Sequence, residues 1–145
     1  MQTILIVDDI EINREMLASF FEEQYNILEA ADGEEAISII NENKKDISLI
    51  FLDLIMPQKD GIDVLIYLRG AGLLDCIPVI MITGEATEET DMKAYEYGAA
   101  DVIYKPFTEK IVTKRAMKLM EQFSSREKKE TESRIRTSDV FESIE

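Results

Sequence analysis

The sequence contains no histidine, which excludes Ser-His and Cys-His nucleophile pairs, imidazole metal sites and any phosphohistidine chemistry of the chain's own. Cysteine is almost as scarce. Cys76 stands alone, so no internal disulfide forms, no thiolate metal cage is available, and a reducing cytosol is the expected setting. Positive charge is also short: 16 basic residues face 30 acidic ones, for a formal net charge of -14. Such a chain repels phosphate backbones and anionic lipid heads, so no direct nucleic-acid or membrane role is expected of this segment. No uncharged apolar run approaches membrane-spanning length, and the opening Met-Gln-Thr lacks the basic region of a signal peptide. The 145 residues, 46% of them hydrophobic, hold material for one ordinary core and an appendage.

What is present is arranged around residues 47–57, Ile-Ser-Leu-Ile-Phe-Leu-Asp-Leu-Ile-Met-Pro. Six residues, mostly aliphatic or aromatic, lead into Asp53 without polar alternation, the pattern of a strand buried on both faces of a parallel sheet. A carboxylate at the carboxyl end of such a strand lies where open α/β sheets gather ligands, and Pro57 restricts Met56 to make a defined loop. Further short aliphatic runs predict strands at Thr3–Val7, Asn26–Ala30, Pro78–Thr83 and Asp101–Tyr104.

Helical spacing predicts the connections. A first helix spans about Glu11–Glu23, with Asp9 as N-cap and Ile12, Met16, Leu17, Phe20 and Phe21 as its apolar face. A second follows Asp32-Gly33 on Ala36, Ile37 and Ile40, and a third on Ile62, Leu65 and Leu68 stops around Gly70–Gly72. The fourth, about Thr87–Tyr97, offers little beyond Met92, Ala94, Tyr95 and Tyr97 and is expected to be loosely held; Gly98 ends it. Val112, Ala116, Leu119, Met120 and Phe123 mark a fifth helix that docks firmly. Five strand–helix units argue for a parallel sheet covered by helices on both faces. The domain boundary falls near Phe123, giving a domain over 1–123. Residues 124–145 form a charged extension with a last apolar cluster at Ile135, Val140, Phe141 and Ile144. It reads equally as a helical connector to an output domain or partner helix and as a solvated tail.

Right-handed crossovers put the ends of parallel strands on one edge, so Asp8, Asp9, Asp53, Thr83 and Lys105 can converge. Adjacent strands lie ~4.8 Å apart, within direct charge–charge range. Three carboxylates there repel one another, and unless one takes a proton they call for a hard divalent cation with oxygen ligands, Mg2+. A carboxylate nucleophile, that metal, a lysine and a hydroxyl make a kit for phosphoryl transfer that needs no general base. Singly, Asp8 or Asp9 reads as a helix cap, Thr83 as strand filler and Lys105 as a solvated strand end. Together at strand ends they read as a site, and Asp53 in so apolar a run is costly unless it is used.

Asp8-Asp9 after the first strand, Asp53 with Met56-Pro57 after the third, Thr83-Gly84 after the fourth and Lys105-Pro106-Phe107 after the fifth resemble the receiver domain of two-component response regulators. The resemblance covers residues 1 to about 123 and implies a flavodoxin-like fold with strand order 2-1-3-4-5. It implies that Asp53 accepts a phosphoryl group from a phosphohistidine on a sensor histidine kinase or phosphotransfer protein. Asp9, Asp53 and the backbone carbonyl of Ile55 would ligate Mg2+, with Asp8 acting mainly through water. Lys105 would contact the phosphoryl oxygens, Thr83 would move to hydrogen-bond one of them, and Gly84 would leave room. The Lys105-Pro106 bond is expected to be cis. The output would be a changed surface on the fourth helix, fifth strand and fifth helix, offered to an output domain, a partner protein or a second copy in a phosphorylation-dependent homodimer. Such a chain is a switch, with self-phosphorylation and slow autodephosphorylation as its only chemistry.

Two departures stand out. Receivers carry a tyrosine or phenylalanine three residues before the lysine, where this chain has Val102, so the aromatic arm of the switch is missing; Tyr104, on the same strand face, is the residue left to replace it. The resemblance also implies that Ile55 and Glu85 occupy the two positions that in this family tune how fast the phosphoryl group is lost. An apolar Ile55 cannot orient an attacking water and Glu85 repels one, so a long-lived phosphoform is expected. Three other functions compete with this one. A phosphatase resembling the haloacid dehalogenases needs an acid where Ile55 stands, and a flavin module would need a hydroxyl-rich loop in place of Asp8-Asp9-Ile10-Glu11. A phosphorylation-independent adaptor is left open by Val102.

Overall fold

A computed structural model of the chain describes residues 2–56, 58–84 and 87–125. Pro57, Glu85 and the apolar cluster of Ile135, Val140, Phe141 and Ile144 lie outside them. The order is β1 (Thr3–Val7), α1 (Glu11–Phe21), β2 (Asn26–Ala30), α2 (Gly33–Asn43), β3 (Ile47–Asp53), α3 (Gly61–Gly70), β4 (Val79–Thr83), α4 (Glu88–Glu96) and β5 (Asp101–Tyr104). A fifth helix, α5, occupies 109–125 of the described residues and so continues past Phe123. The strands form one parallel sheet in the order β2-β1-β3-β4-β5. Among the described residues no helix is long and apolar enough to cross a membrane.

Strand alternation divides the apolar residues between two cores. Leu5, Val7, Ile50, Leu52, Val79 and Met81 point to one face, where Ala36 and Ile40 of α2, Val64, Leu65 and Leu68 of α3 and Ala94 of α4 cover them. Ile4, Ile6, Leu49, Phe51, Ile80 and Ile82 point to the other, under Leu17 and Phe21 of α1 and Val112 and Ala116 of α5. The three central strands are therefore buried on both sides, which is why they carry runs and not alternations.

Two expectations for α1 need correction. Its buried stripe is Leu17, Ala18 and Phe21, while Ile12 and Met16, one turn apart on the outer face, are 65% and 44% exposed. An apolar set broader than the contact can be docked in more than one rotation, and here Leu17 and Phe21, four residues apart, take the sheet. Asp9 is not the N-cap either. Ile10 holds that position without a side-chain cap, because the Asp8 carboxylate takes the Ile10 N–H at 2.9 Å and the helix begins one residue later than a cap at Asp9 would require.

The loop after β3 is pinned at both ends. The Gly61 N–H closes onto the Leu54 carbonyl at 2.9 Å, and the Gly33 N–H at the start of α2 donates to the Lys59 carbonyl at 2.9 Å. A Cβ on Gly33 would collide with that Lys59 oxygen, and one on Gly61 would press on the carbonyl of Asp53, so both positions need glycine for close backbone approach. Leu54 and Lys59 are thereby held against the starts of α3 and α2.

Candidate functional site

Asp8, Asp9 and Asp53 offer carboxylate oxygens that all lie within 4.8 Å of one another. β1 and β3 are neighbours, and their ends place Asp8 and Asp53 side by side at the carboxyl edge. Both are buried, whereas Asp9 is exposed at the mouth. Lys105, just past β5, reaches across β4 to bring Nζ to 3.2 Å from Asp8 Oδ2 and 3.7 Å from Asp53 Oδ1. Thr83, the buried last residue of β4, follows Ile82, which pairs with Asp53. The carboxyl and ammonium groups are in direct electrostatic contact, and the hydroxyl residue stands at the next strand end.

Burial drives the Asp53 pKa up from 3.8 to about 6, since an apolar surrounding penalises the charged form. Repulsion from Asp8 adds to this, and from Asp9 to a lesser degree; the Lys105 ammonium and a hydrogen bond from the Ile55 backbone N–H act against it. The donor set is oxygen only, crowded and short of positive charge, which fits a small hard dication and no soft metal. One ammonium shared between two buried carboxylates leaves negative charge uncompensated.

Ile55 presents its side chain to solvent, 58% exposed, and its backbone to Asp53. The Lys105-Pro106 bond is cis. Val102 is buried in the same core as Ala94 of α4 and has no polar group to offer. Tyr104 points to the same side of the sheet, at the rim, where its hydroxyl donates to Asp91 Oδ2 of α4. Glu85 falls outside the described residues.

Three residues that belong to the site's framework escaped sequence reasoning. Arg14 donates from Nη1 to the Asp8 carbonyl at 2.7 Å and from Nε to Glu29 Oε1 at 3.2 Å, which ties the loop bearing Asp8 and Asp9 to α1 and β2. An arginine one turn into the helix after paired aspartates is a signal in the sequence that points to this tie. Gly33 looked like a turn residue only, and nothing in the sequence links Asp91 to Tyr104.

The family described as the response regulator receiver domain matches residues 4–117. The transcriptional regulatory protein SrrA of Staphylococcus aureus is 35% identical over 143 residues, or 98% of this chain. The chain spans 57% of that relative's length. Among solved structures, the CheX–CheY–BeF3–Mg2+ complex from Borrelia burgdorferi is 32% identical with a TM-score of 0.74, covering 81% of this chain and 88% of that one. The Vibrio cholerae chemotaxis protein CheY4 is 27% identical with a TM-score of 0.75, covering 82% of this chain and 98% of its own.

Proposed function

The chain belongs to the response regulator receiver family of two-component systems, and we propose that it works as a phosphorylation-controlled switch with Asp53 as the phosphoryl acceptor. The observation that carries the proposal is a buried carboxylate at the end of β3 with two further aspartates within 4.8 Å and a lysine ammonium at 3.7 Å.

In this reading an oxygen of Asp53 attacks the phosphorus of a phosphohistidine on a kinase or phosphotransfer protein. A P–O bond forms as the P–N bond breaks, the electron pair returns to the imidazole nitrogen, and solvent supplies its proton. Asp8, Asp9 and Asp53, with the Ile55 carbonyl, would hold Mg2+. When bound, that ion supplies the positive charge that offsets the carboxylates and the incoming phosphoryl oxygens. Lys105 already sits beside the nucleophile, so it can follow a transferred oxygen by a small rotation of its side chain. Thr83 would hydrogen-bond another oxygen. A second negative charge arriving at Asp53 pulls Lys105 away from Asp8 and Thr83 toward the phosphoryl group, and that reorganisation is the signal.

The output surface would be α4, β5 and α5, where Met92, Tyr95 and Tyr104 are exposed. The chain's net charge of -14 directs it to a protein, either an output domain or a second copy, and not to DNA. Because Ile55 offers no polar group to orient water, the phosphoform is expected to decay slowly in Mg2+; decay within seconds would contradict this.

Intact mass after incubation with Mg2+ and acetyl phosphate tests the assignment. The parent should gain one phosphoryl group and Asp53→Asn none. No gain from acetyl phosphate or from phosphorylated kinases would favour the phosphorylation-independent adaptor that Val102 leaves open.

A further inference from the structure

We infer that the Tyr104 hydroxyl and the Asp91 carboxylate form a latch that holds α4 against β5 while Asp53 is unmodified, and that phosphorylation of Asp53 opens it. The inference rests on the reading of Asp53 as acceptor and deepens it, by naming the contact through which a change at Thr83 reaches α4.

α4 has few other ties; one is at its far end, where Arg69 Nη2 of α3 donates to the Glu96 carbonyl at 2.6 Å. Ala94 is its one buried residue, and Met92 is 64% exposed, so little apolar burial fixes its position. On the side that faces β5 stand Asp91 and, one turn on, Tyr95. Tyr104 donates its O–H to Asp91 Oδ2, across the gap between helix and strand. The other oxygen of the same carboxylate, Oδ1, is buried without a hydrogen-bond partner among the described residues. A carboxylate half satisfied in this way is held to the strand by the tyrosine hydroxyl and is drawn to water by its second oxygen. The arrangement is poised. A tyrosine hydroxyl, with an ordinary pKa of about 10, is a donor throughout the physiological range, and the hydrogen bond to Asp91 only raises that pKa further.

The latch is joined directly to the site. Tyr104 is the register partner of Thr83 on the neighbouring strand, and the N–H of Lys105 donates to the Thr83 carbonyl at 2.9 Å. Displacement of Thr83 and Lys105 toward a phosphoryl group therefore moves the backbone on which Tyr104 is carried. The buried Val102 has neither ring nor hydroxyl for that task, which leaves Tyr104 as the positioning residue.

A bond made in one arrangement and broken in the other opposes the ligand that favours the second, so removing it tightens that ligand. Tyr104→Phe deletes only the hydroxyl, and Asp91→Ala deletes the acceptor. The probe is beryllofluoride with Mg2+, titrated by calorimetry into the 145-residue chain. Each variant should bind it roughly three- to tenfold more tightly than the parent, and the double variant no more tightly than either. Amide hydrogens of 88–96 should exchange faster by a similar factor without the probe. Unchanged or weaker binding in Tyr104→Phe, with the parent binding normally, overturns the latch and leaves Asp53 as acceptor. If the parent takes no beryllofluoride the acceptor assignment falls, and the latch is decided by exchange alone, where equal rates in parent and Tyr104→Phe overturn it.

Discussion

α3 and α4 hold equivalent places in the fold, each leaving a strand that ends at the acidic edge and each covering the same face of the sheet, yet they are built to opposite specifications. α3 buries Gly61, Ile62, Val64, Leu65 and Leu68 and opens on a reciprocal capping box, Asp63 N–H to Asp60 Oδ1 and Asp60 N–H to Asp63 Oδ2, both at 3.1 Å. α4 buries Ala94 and opens on a single cap, from Thr90 N–H to Thr87 Oγ1 at 3.1 Å. In the proposed switch the first follows Asp53, which would be held still to react, and the second follows Thr83, which would move to report. Loosely held helices are where a fold can change shape at small cost.

The sharpest test of that contrast is truncation. Leu65→Ala or Leu68→Ala should lower stability to urea by about 2–5 kcal/mol, because each leaves a cavity in a closed core. Met92→Ala should change it by less than about 0.5 kcal/mol. Similar losses from the two helices would break the comparison.

Asp53→Asn should act in the other direction. The folded chain holds the Asp53 proton more tightly than the unfolded chain, with a pKa of about 6 against 3.8. The stability this confers is fully present below the ordinary carboxylate range and is lost as pH rises through about 6. The asparagine variant escapes that loss and should exceed the parent by roughly 1–3 kcal/mol at about pH 8, with the gap closing toward about pH 4. A gap independent of pH would mean that packing, not charge, separates them.

Caps give the finer distinction. Asp60→Ala should cost about 1–2 kcal/mol in global unfolding, since it opens the box that starts α3. Thr87→Ala should cost about 0.5–1 kcal/mol and show mainly as faster local exchange in α4, because that helix opens without the rest of the domain.

The three central strands and their carboxyl-end residues were legible in the sequence because burial on both faces leaves unbroken aliphatic runs, and a charged residue at the end of one is conspicuous; the edge strands β2 and β5, only partly buried, showed as shorter aliphatic stretches between turn residues. The sparse fourth helix was legible for the converse reason, a shortage of apolar positions. The strand order was not readable from spacing and came from resemblance. The apolar face of α1 was read too broadly, since Ile12 and Met16 offered as good an apolar period as Leu17 and Phe21, and only tertiary contact selects between them. The Asp91–Tyr104 contact and the approach of Gly33 to Lys59 were invisible. Each joins elements whose meeting depends on how separate units pack, and no local pattern encodes it.

Amide exchange of α3 and α4, followed with and without Mg2+ and acetyl phosphate, tests most directly the claim that phosphorylation at Asp53 is reported by a loosely held α4. The prediction is that residues 88–96 exchange faster than 61–70 before phosphorylation and change their rates on it, while 61–70 stay as they were. Equal protection of the two helices, or a response confined to 61–70, would contradict the account.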